Sequence, residues 1–101
     1  MKQARFTALA RAELLAEIDY YENRRAGLGA RFRAEVEEAC EVAASAPNSG
    51  AVVAGVARRR LLPKFPFALV YTETEYGILI HAVAHNRRRP TYWIGRLRGG
   101  G

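Results

Sequence analysis

The chain has 101 residues, which is enough for one hydrophobic core and too few for two. Hydrophobic residues make up 50% of it and charged residues 26%, a balance typical of a folded globular protein and not of a disordered segment. No apolar run approaches the roughly 20 residues of a membrane span, and the N-terminus lacks an apolar signal core, so we expect a cytoplasmic protein. Cys40 is the only cysteine and the chain has 2 histidines, so we expect no disulfide, no metal site and no cofactor.

Positive charge is concentrated in the second half of the chain. Residues 1–50 hold seven Lys or Arg against eight Asp or Glu, a net charge of −1, whereas residues 51–101 hold nine against two, a net charge of +7. Together they give the formal net charge of +6. A positive field confined to one region attracts polyanions, so nucleic acid, a ribosome and an acidic protein are candidate partners. A solvated surface without a partner is the alternative.

The first half of the chain is predicted to form a strand and two helices. Gln3 to Thr7 has the composition of a short strand, and Thr7 is placed to cap a helix that begins at Ala8. We expect this helix to end near Gly27, where the Gly27-Leu28-Gly29 corner starts a second helix that Pro47 closes. Apolar residues recur at helical spacing in both helices, at Leu14, Ile18 and Tyr21 and then at Phe32, Val36, Ala39 and Ala43. The short connection predicts an antiparallel hairpin whose apolar stripes face a sheet.

The second half is predicted to form three strands. They are Ala57 to Leu62, Phe67 to Thr72 and Ile78 to His85, and their short connections favour an antiparallel meander. The last strand is apolar on both alternations, so it is expected to be central in the sheet. The alternation of this strand places Ile78, Ile80, Ala82 and Ala84 on one side and Leu79, His81, Val83 and His85 on the other.

A short terminal helix over residues 90–97, with Pro90 near its start, completes the predicted fold. Trp93 and Leu97 lie one turn apart and are expected to clamp this helix to the sheet. The prediction is an α+β fold with a first strand, an antiparallel helix hairpin packed on one sheet face, a three-strand antiparallel meander and the terminal helix. We expect a single domain over residues 1–98 and a flexible glycine tail at 99–101.

A set of short sequence pieces occurs in a fixed order across nearly the whole chain. The pieces are Tyr20-Tyr21-Glu22, Gly27-Leu28-Gly29, Phe32 with Glu35-Val36, Arg58 to Arg60, Phe65-Pro66-Phe67 before a strand that contains Tyr71, Ala82-Val83-Ala84-His85, Arg87-Arg88-Arg89-Pro90 and Tyr92-Trp93. In order and spacing this set resembles the RelE/ParE toxin superfamily. The double tyrosine and the Gly-Leu-Gly corner resemble the ParE-like members, which are often labelled plasmid stabilisation proteins.

The resemblance implies a compact toxin fold and an antitoxin encoded alongside it, with which the toxin forms a hetero-oligomer. It also implies one of two modes of growth arrest: RelE-like members cut messenger RNA on the ribosome, whereas ParE-like members poison DNA gyrase. The function that we expect is therefore that of a ParE-like toxin that binds gyrase without chemistry of its own. A RelE-like ribosome-dependent mRNA endoribonuclease is the alternative, and an inactive relative that only binds an antitoxin is a third possibility.

The nuclease alternative requires a base for the attacking 2'-hydroxyl, cations for the phosphorane and an acid for the leaving oxygen. His85 has a suitable ordinary pKa for the base or the acid. The resemblance places Tyr92 where RelE-like nucleases hold a tyrosine near the substrate. The candidate phosphate ligands are Arg58, Arg60, Lys64 and Arg88. The alternation in Ala57 to Leu62 places Arg58 and Arg60 on one face and Arg59 on the other, and strand register decides whether His85 joins the pair. RelE-like nucleases usually carry further lysines or a glutamate base in the strands, and here only Lys64, Glu73 and Glu75 are available, which favours binding over catalysis.

Three adjacent arginines follow the last strand. They repel one another, and no acidic residue lies between Glu75 and the C-terminus to offset them. Binding of an external anion would reduce this repulsion most simply. Screening by water and salt is the alternative and is sufficient by itself. The residues predicted to bind the target or a nucleic acid are Arg58, Arg60, Lys64, Arg87, Arg88 and Arg89.

Overall fold

The structure is a computed structural model that describes residues 2–89 and 91–98. Its helices span Ala8–Arg24 (α1), Leu28–Ser45 (α2) and Thr91–Arg98 (α3). Its strands span Gln3–Phe6 (β1), Ala51–Ala54 (β2), Ala57–Leu61 (β3), Phe67–Thr74 (β4) and Gly77–His85 (β5), and a 3-10 turn covers Pro47–Ser49. Pro90 and the predicted glycine tail lie outside the described residues.

The strands form one sheet in the order β1-β5-β4-β3-β2. From β2 to β5 each strand pairs antiparallel with the next along the chain, whereas β1 pairs parallel with β5. The predicted α+β fold, with its helix pair, antiparallel meander and short C-terminal helix, is confirmed. The prediction that the last strand is interior is also confirmed, because β5 lies between β1 and β4.

One strand, β2, was not predicted. Its sequence Ala51-Val52-Val53-Ala54 is short and carries no charge, and it pairs with β3 across a two-residue loop. Gly55 occupies the first loop position with φ 53, and tight hairpin loops require a positive φ there that glycine adopts without steric cost. The run of β-branched residues that ends in glycine was the available sequence signal.

The two faces of the sheet are covered by different helices. The helix hairpin buries the larger core, which includes Phe32, Val36, Phe67, Leu69, Tyr71, Ile78 and Ile80. A smaller cluster on the other face joins α3 to the sheet, and it includes Ala57, Val70, Ala82, Ala84 and Trp93. The prediction that the helices pack on one sheet face therefore holds for α1 and α2, whereas Trp93 fixes α3 to the opposite face.

The corner between α1 and α2 explains the Gly-Leu-Gly sequence. Gly27 has φ 88, in the left-handed region that favours glycine. The carboxylate of Glu22 accepts hydrogen bonds from the backbone N–H of Gly27 at 2.8 Å and of Gly29 at 3.0 Å, and so caps the start of α2. Gly29 is buried where α2 passes closest to α1: an ideal Cβ placed on it would lie 2.5 Å from the carbonyl oxygen of Ile18.

An irregularity in β5 changes which side chains face each side of the sheet. His81 is an extra residue between Ile80 and Ala82, both of which pair with β4. Val83 therefore joins the core beneath the helix hairpin, whereas Ala82 and Ala84 face α3. The predicted assignment of sides is wrong beyond His81, because one inserted residue inverts the alternation of every residue that follows it.

Candidate functional site

The three adjacent arginines lie on a turn that backbone hydrogen bonds hold at the end of β5. Asn86 N donates to the carbonyl oxygen of Pro66 at 2.8 Å, and Arg88 N donates to the carbonyl oxygen of His85 at 3.0 Å. Arg87, Arg88 and Arg89 are exposed. The turn is thus tied at its base to the β3–β4 connection, and it presents its cationic side chains to solvent.

A cleft lies next to this turn, between β3, the end of β5 and α3. The residues that line it are Val53, Arg59, Ala68, Val70, Ala84, His85, Asn86, Arg88 and Trp93. Its floor is formed by small or buried apolar residues, and Trp93 is 5% exposed. Arg59 and Arg88 are exposed and supply the positive charge, and none of the lining residues is acidic. We call this site the arginine cleft.

The arginines of β3 divide between the two sides of the sheet, as the alternation predicts. Arg59 pairs with Val70 and shares its face, which is the face of the arginine cleft. Arg58 and Arg60 pair with Tyr71 and Leu69 and lie on the face of the helix hairpin. The structure therefore brings Arg88 together with Arg59 and not with Arg58 and Arg60, whereas the ring of His85, which pairs with Phe67, lies on the face of the helix hairpin.

Arg58 and Arg60 hold the connection between α2 and β2. Arg58 Nη1 donates to the carbonyl oxygen of Gly50 at 2.7 Å, and Arg60 Nη1 donates to Ser49 Oγ at 3.3 Å. Arg60 also lines a separate groove between α2 and β3 together with Lys64. These hydrogen bonds give the two arginines a structural role. Their contact with a target stays a prediction.

His85 ends β5 at the rim of the arginine cleft, but its ring lies on the opposite face of the sheet, beside Glu17 and Phe67, with one ring nitrogen already engaged. Its Nδ1 accepts a hydrogen bond from Arg87 N at 3.1 Å, so a neutral ring carries its proton on Nε2. The ring packs edge-on against Phe67 with centroids 5.1 Å apart. To accept a proton at Nε2, the neutral ring would have to shift its own proton from Nε2 to Nδ1 and lose the Arg87 contact, so the observed arrangement suits hydrogen-bond donation by Nε2 better than proton abstraction.

Tyr92 is covered on its ring by two arginines. The guanidinium carbon of Arg88 lies 4.0 Å from the ring centroid and that of Arg96 lies 5.1 Å from it. Burial, followed by the neighbouring Glu13 carboxylate, raises the pKa of Tyr92 to about 12. The phenol is therefore neutral at physiological pH and a weak acid, and its ring is not open for a nucleotide base to stack on it.

An ion pair that the sequence analysis missed fixes α3 to α1 and β5. Arg96 donates to both carboxylate oxygens of Glu13, at 3.0 and 3.1 Å, and also to the carbonyl oxygen of His81 at 3.0 Å. Glu13 accepts a further hydrogen bond from Val83 N at 3.0 Å, on the edge of β5 that β1 does not reach. No local pattern predicts this pair, because 83 positions separate its members.

His81 is the buried histidine of the domain. It is 4% exposed, its Nε2 lies 2.9 Å from Thr72 Oγ1, and its Nδ1 has no hydrogen-bond partner among the described residues. Burial, with a further contribution from Arg96, lowers the pKa of His81. The unfolded chain therefore binds this proton more readily than the folded protein does.

A pH dependence of stability follows from His81. The stabilisation is complete above the ordinary histidine pKa of about 6.5 and decreases as the pH falls below it, with a slope of at most about 1.4 kcal/mol per pH unit. We expect the free energy of unfolding, measured with urea, to decrease between about pH 7 and about pH 5. His81→Gln should have a shallower dependence over this interval. An unchanged slope in that variant would contradict the assignment.

Neither a membrane-spanning helix nor a metal-binding cluster occurs in residues 2–89 and 91–98. No helix in these ranges is long and apolar enough to cross a membrane. The same residues contain no group of three or more His, Cys, Asp or Glu side chains arranged to hold a metal ion. Cys40 is buried, and burial raises the pKa of its thiol to about 12, so it is protonated and chemically inert at neutral pH.

Comparison with known proteins identifies the family. The profile described as the ParE toxin of type II toxin-antitoxin systems, parDE, matches residues 4–90. Among solved structures, a chain of the chromosomal ParDE system from P. aeruginosa is similar in fold, with a TM-score of 0.72, 20% sequence identity and coverage of 84% of this chain and 96% of that chain. No curated protein matches the sequence. Because the profile covers most of the chain and the folds agree, the chain belongs to the ParE toxin family of type II toxin-antitoxin systems.

Proposed function

We propose that this ParE-family toxin arrests growth in the cytoplasm by binding DNA gyrase, and that a cognate antitoxin neutralises it. The observation that carries the proposal is the arginine cleft. It places arginine side chains close together without the complete set of acid and base groups that RNA cleavage requires. Arg59 and Arg88 are exposed beside an apolar floor, whereas His85 Nδ1 accepts from Arg87 N and Tyr92 lies beneath two guanidinium groups. Such a site is suited to holding an anionic partner.

RNA cleavage is the second candidate, and one observation favours it. Arg88 and a further arginine, Arg59, line the same cleft, so two phosphate ligands are in reach of one another, and His85 lies at the rim of this cleft. The candidate lacks a group for proton transfer in the cleft, because the ring of His85 lies on the opposite face beside Glu17, Tyr92 is a weak acid with a pKa of about 12 and no carboxylate lines the cleft. Binding therefore has the better support.

An antitoxin partner fits the charge of the surface. The solved structure with the similar fold comes from a ParDE toxin-antitoxin system. In this chain, residues 51–101 carry a net charge of +7, and several large apolar side chains are exposed, among them Leu61 on β3 and Val42 on α2. An acidic segment that orders on the toxin would cover both kinds of surface.

Induction of the gene with two simultaneous readouts tests the proposal. We expect growth arrest with linearised DNA from trapped gyrase and with unchanged messenger RNA ends. Arg59→Gln and Arg88→Gln should weaken the arrest, whereas Arg31→Gln, which removes the same charge from an exposed position on α2, should not. Co-expression of the protein encoded next to the toxin should restore growth.

Two outcomes would overturn the proposal. Codon-specific RNA ends with intact DNA would support the ribosome-dependent nuclease instead. Harmless expression of the folded protein at high level would argue against toxin activity of either kind.

A further inference from the structure

The arginine cleft differs from the usual sites for single-stranded nucleic acid. Such sites present exposed aromatic rings on which unstacked bases lie, in addition to cations that follow the backbone. Here Trp93 is 5% exposed and forms part of the floor. Tyr92 is half-buried, and its ring is covered by Arg88 at 4.0 Å and Arg96 at 5.1 Å. The cleft therefore offers cations and no open aromatic surface.

The cleft also differs from a typical site for a protein segment. The buried centre of a protein interface is apolar and depleted in charge. The exposed residues in and beside this cleft are polar or cationic: Arg59, Asn86, Arg87, Arg88 and Arg89. The apolar floor is already buried by α3, because Ala84, Val70 and Trp93 pack on one another. A polar and positively charged surface of this kind is characteristic of contacts with a nucleic-acid backbone.

The positions of the cations favour a backbone of fixed shape. Arg59 is held on an interior strand by pairing with both β2 and β4, and Arg87 to Arg89 lie on a turn tied by hydrogen bonds from Asn86 N and Arg88 N. Cations held on a rigid scaffold match phosphates at fixed spacing, as in a duplex, whereas a flexible single strand gains little from such rigidity.

We propose that the arginine cleft binds the phosphodiester backbone of double-stranded DNA. Arg59 and Arg88 contact phosphate oxygens through their planar guanidinium groups, and the exposed Arg87 and Arg89 lie beside Arg88 on the same turn. The contact reads no base sequence. The inference rests on the proposed function only in naming the DNA held by gyrase as the ligand in the cell, because the contact itself requires no gyrase.

Binding to a fluorescently labelled duplex of DNA, measured by anisotropy at several salt concentrations without gyrase, tests the inference. Each lost phosphate contact should reduce the slope of log K against log salt by about 0.9. We expect this reduction for Arg59→Gln and for Arg88→Gln, and an unchanged slope for Arg31→Gln, which carries the same net charge as either variant. Equal reductions in all three variants would show binding through net charge alone and would overturn the inference.

A map of the bound surface requires no variant. The protein is 11.2 kDa, small enough for amide and indole resonances to be followed by NMR during a titration with duplex DNA. Shifts should concentrate at residues 58–60 and 85–89 and at the indole of Trp93, which is the only tryptophan. Shifts centred on α1 and α2 would overturn the inference.

Competitors distinguish the other classes of ligand. Single-stranded RNA and polyglutamate, each at the same salt concentration, should displace the duplex less effectively than unlabelled duplex DNA does. Stronger displacement by either would overturn the inference in favour of RNA or an acidic protein. Failure of this inference and failure of the proposed function give different results. Wild-type protein that traps gyrase but does not bind the duplex rejects the inference alone, and duplex binding without gyrase trapping rejects the gyrase proposal alone.

Discussion

Replacing Glu13 with alanine is expected to lower the free energy of unfolding by about 2–4 kcal/mol, since the change leaves the Val83 N–H without its acceptor and Arg96 without its counter-charge, with only the carbonyl oxygen of His81 still accepting from it. The side chains of Glu13 and Arg96 are only 21% and 19% exposed, so water replaces the lost contacts incompletely. The loss should release α3 from the sheet. Urea denaturation measures the stability, and the emission of Trp93, which should shift to longer wavelength in the folded variant, reports the release.

Arg96→Met is the matched variant for this prediction. It removes the charge and keeps an unbranched apolar side chain, and it leaves Glu13 free to accept from Val83 N, so its loss should be smaller than that of Glu13→Ala. The double variant should lose less than the sum of the single losses, because both changes break the same pair. A loss below about 1 kcal/mol for Glu13→Ala would place this contact among ordinary surface ion pairs and contradict the prediction.

Replacing Gly29 with alanine is expected to cost about 2–3 kcal/mol, since a methyl group at a closely packed site forces the neighbouring backbone to move. The added Cβ would lie 2.5 Å from the carbonyl oxygen of Ile18 and 2.9 Å from Glu22 Cβ. The higher helix propensity of alanine offsets about 1 kcal/mol at most. Thermal and urea unfolding should both show the loss, because α1 has to move away from α2.

Gly95→Ala is the control for helix propensity. Gly95 lies on α3, and an ideal Cβ placed on it meets no heavy atom within 4 Å. The substitution should therefore stabilise the protein by about 0.5–1 kcal/mol, as expected for an exposed helix interior. Gly29→Ala with wild-type stability would mean that the two helices are not held at the observed distance.

The helices and most strands were predictable because their signals are local. Thr7 caps α1 as expected, accepting a hydrogen bond from Ala10 N at 3.1 Å, and the Gly-Leu-Gly corner separates α1 from α2. The short strand β2 was missed because four uncharged residues resemble a loop until they pair with β3. Pairing depends on tertiary contacts that a single sequence does not encode locally.

The candidate site was predicted less completely than the fold. The alternation in β3 correctly separated Arg59 from Arg58 and Arg60, but the side of the sheet that would meet His85 depended on strand register. Arg59 was consequently left out of the residues predicted to bind a target, although it lines the cleft with Arg88. The Glu13–Arg96 pair joins two helices at opposite ends of the chain, and no spacing rule relates them.

Because His81 is an extra residue in β5, the number of residues in this strand, and not their identity, determines which side chains lie under α3. With His81 present, Ala82 and Ala84 provide a shallow seat for the indole of Trp93, and Val83 fills the core beneath the helix hairpin. A deletion of this single residue would exchange the two sets: the alanines would leave space in the main core, and bulkier side chains would collide with α3. Relatives that differ by one residue in this strand would thus present different side chains to the same partner even where the surrounding sequence is unchanged.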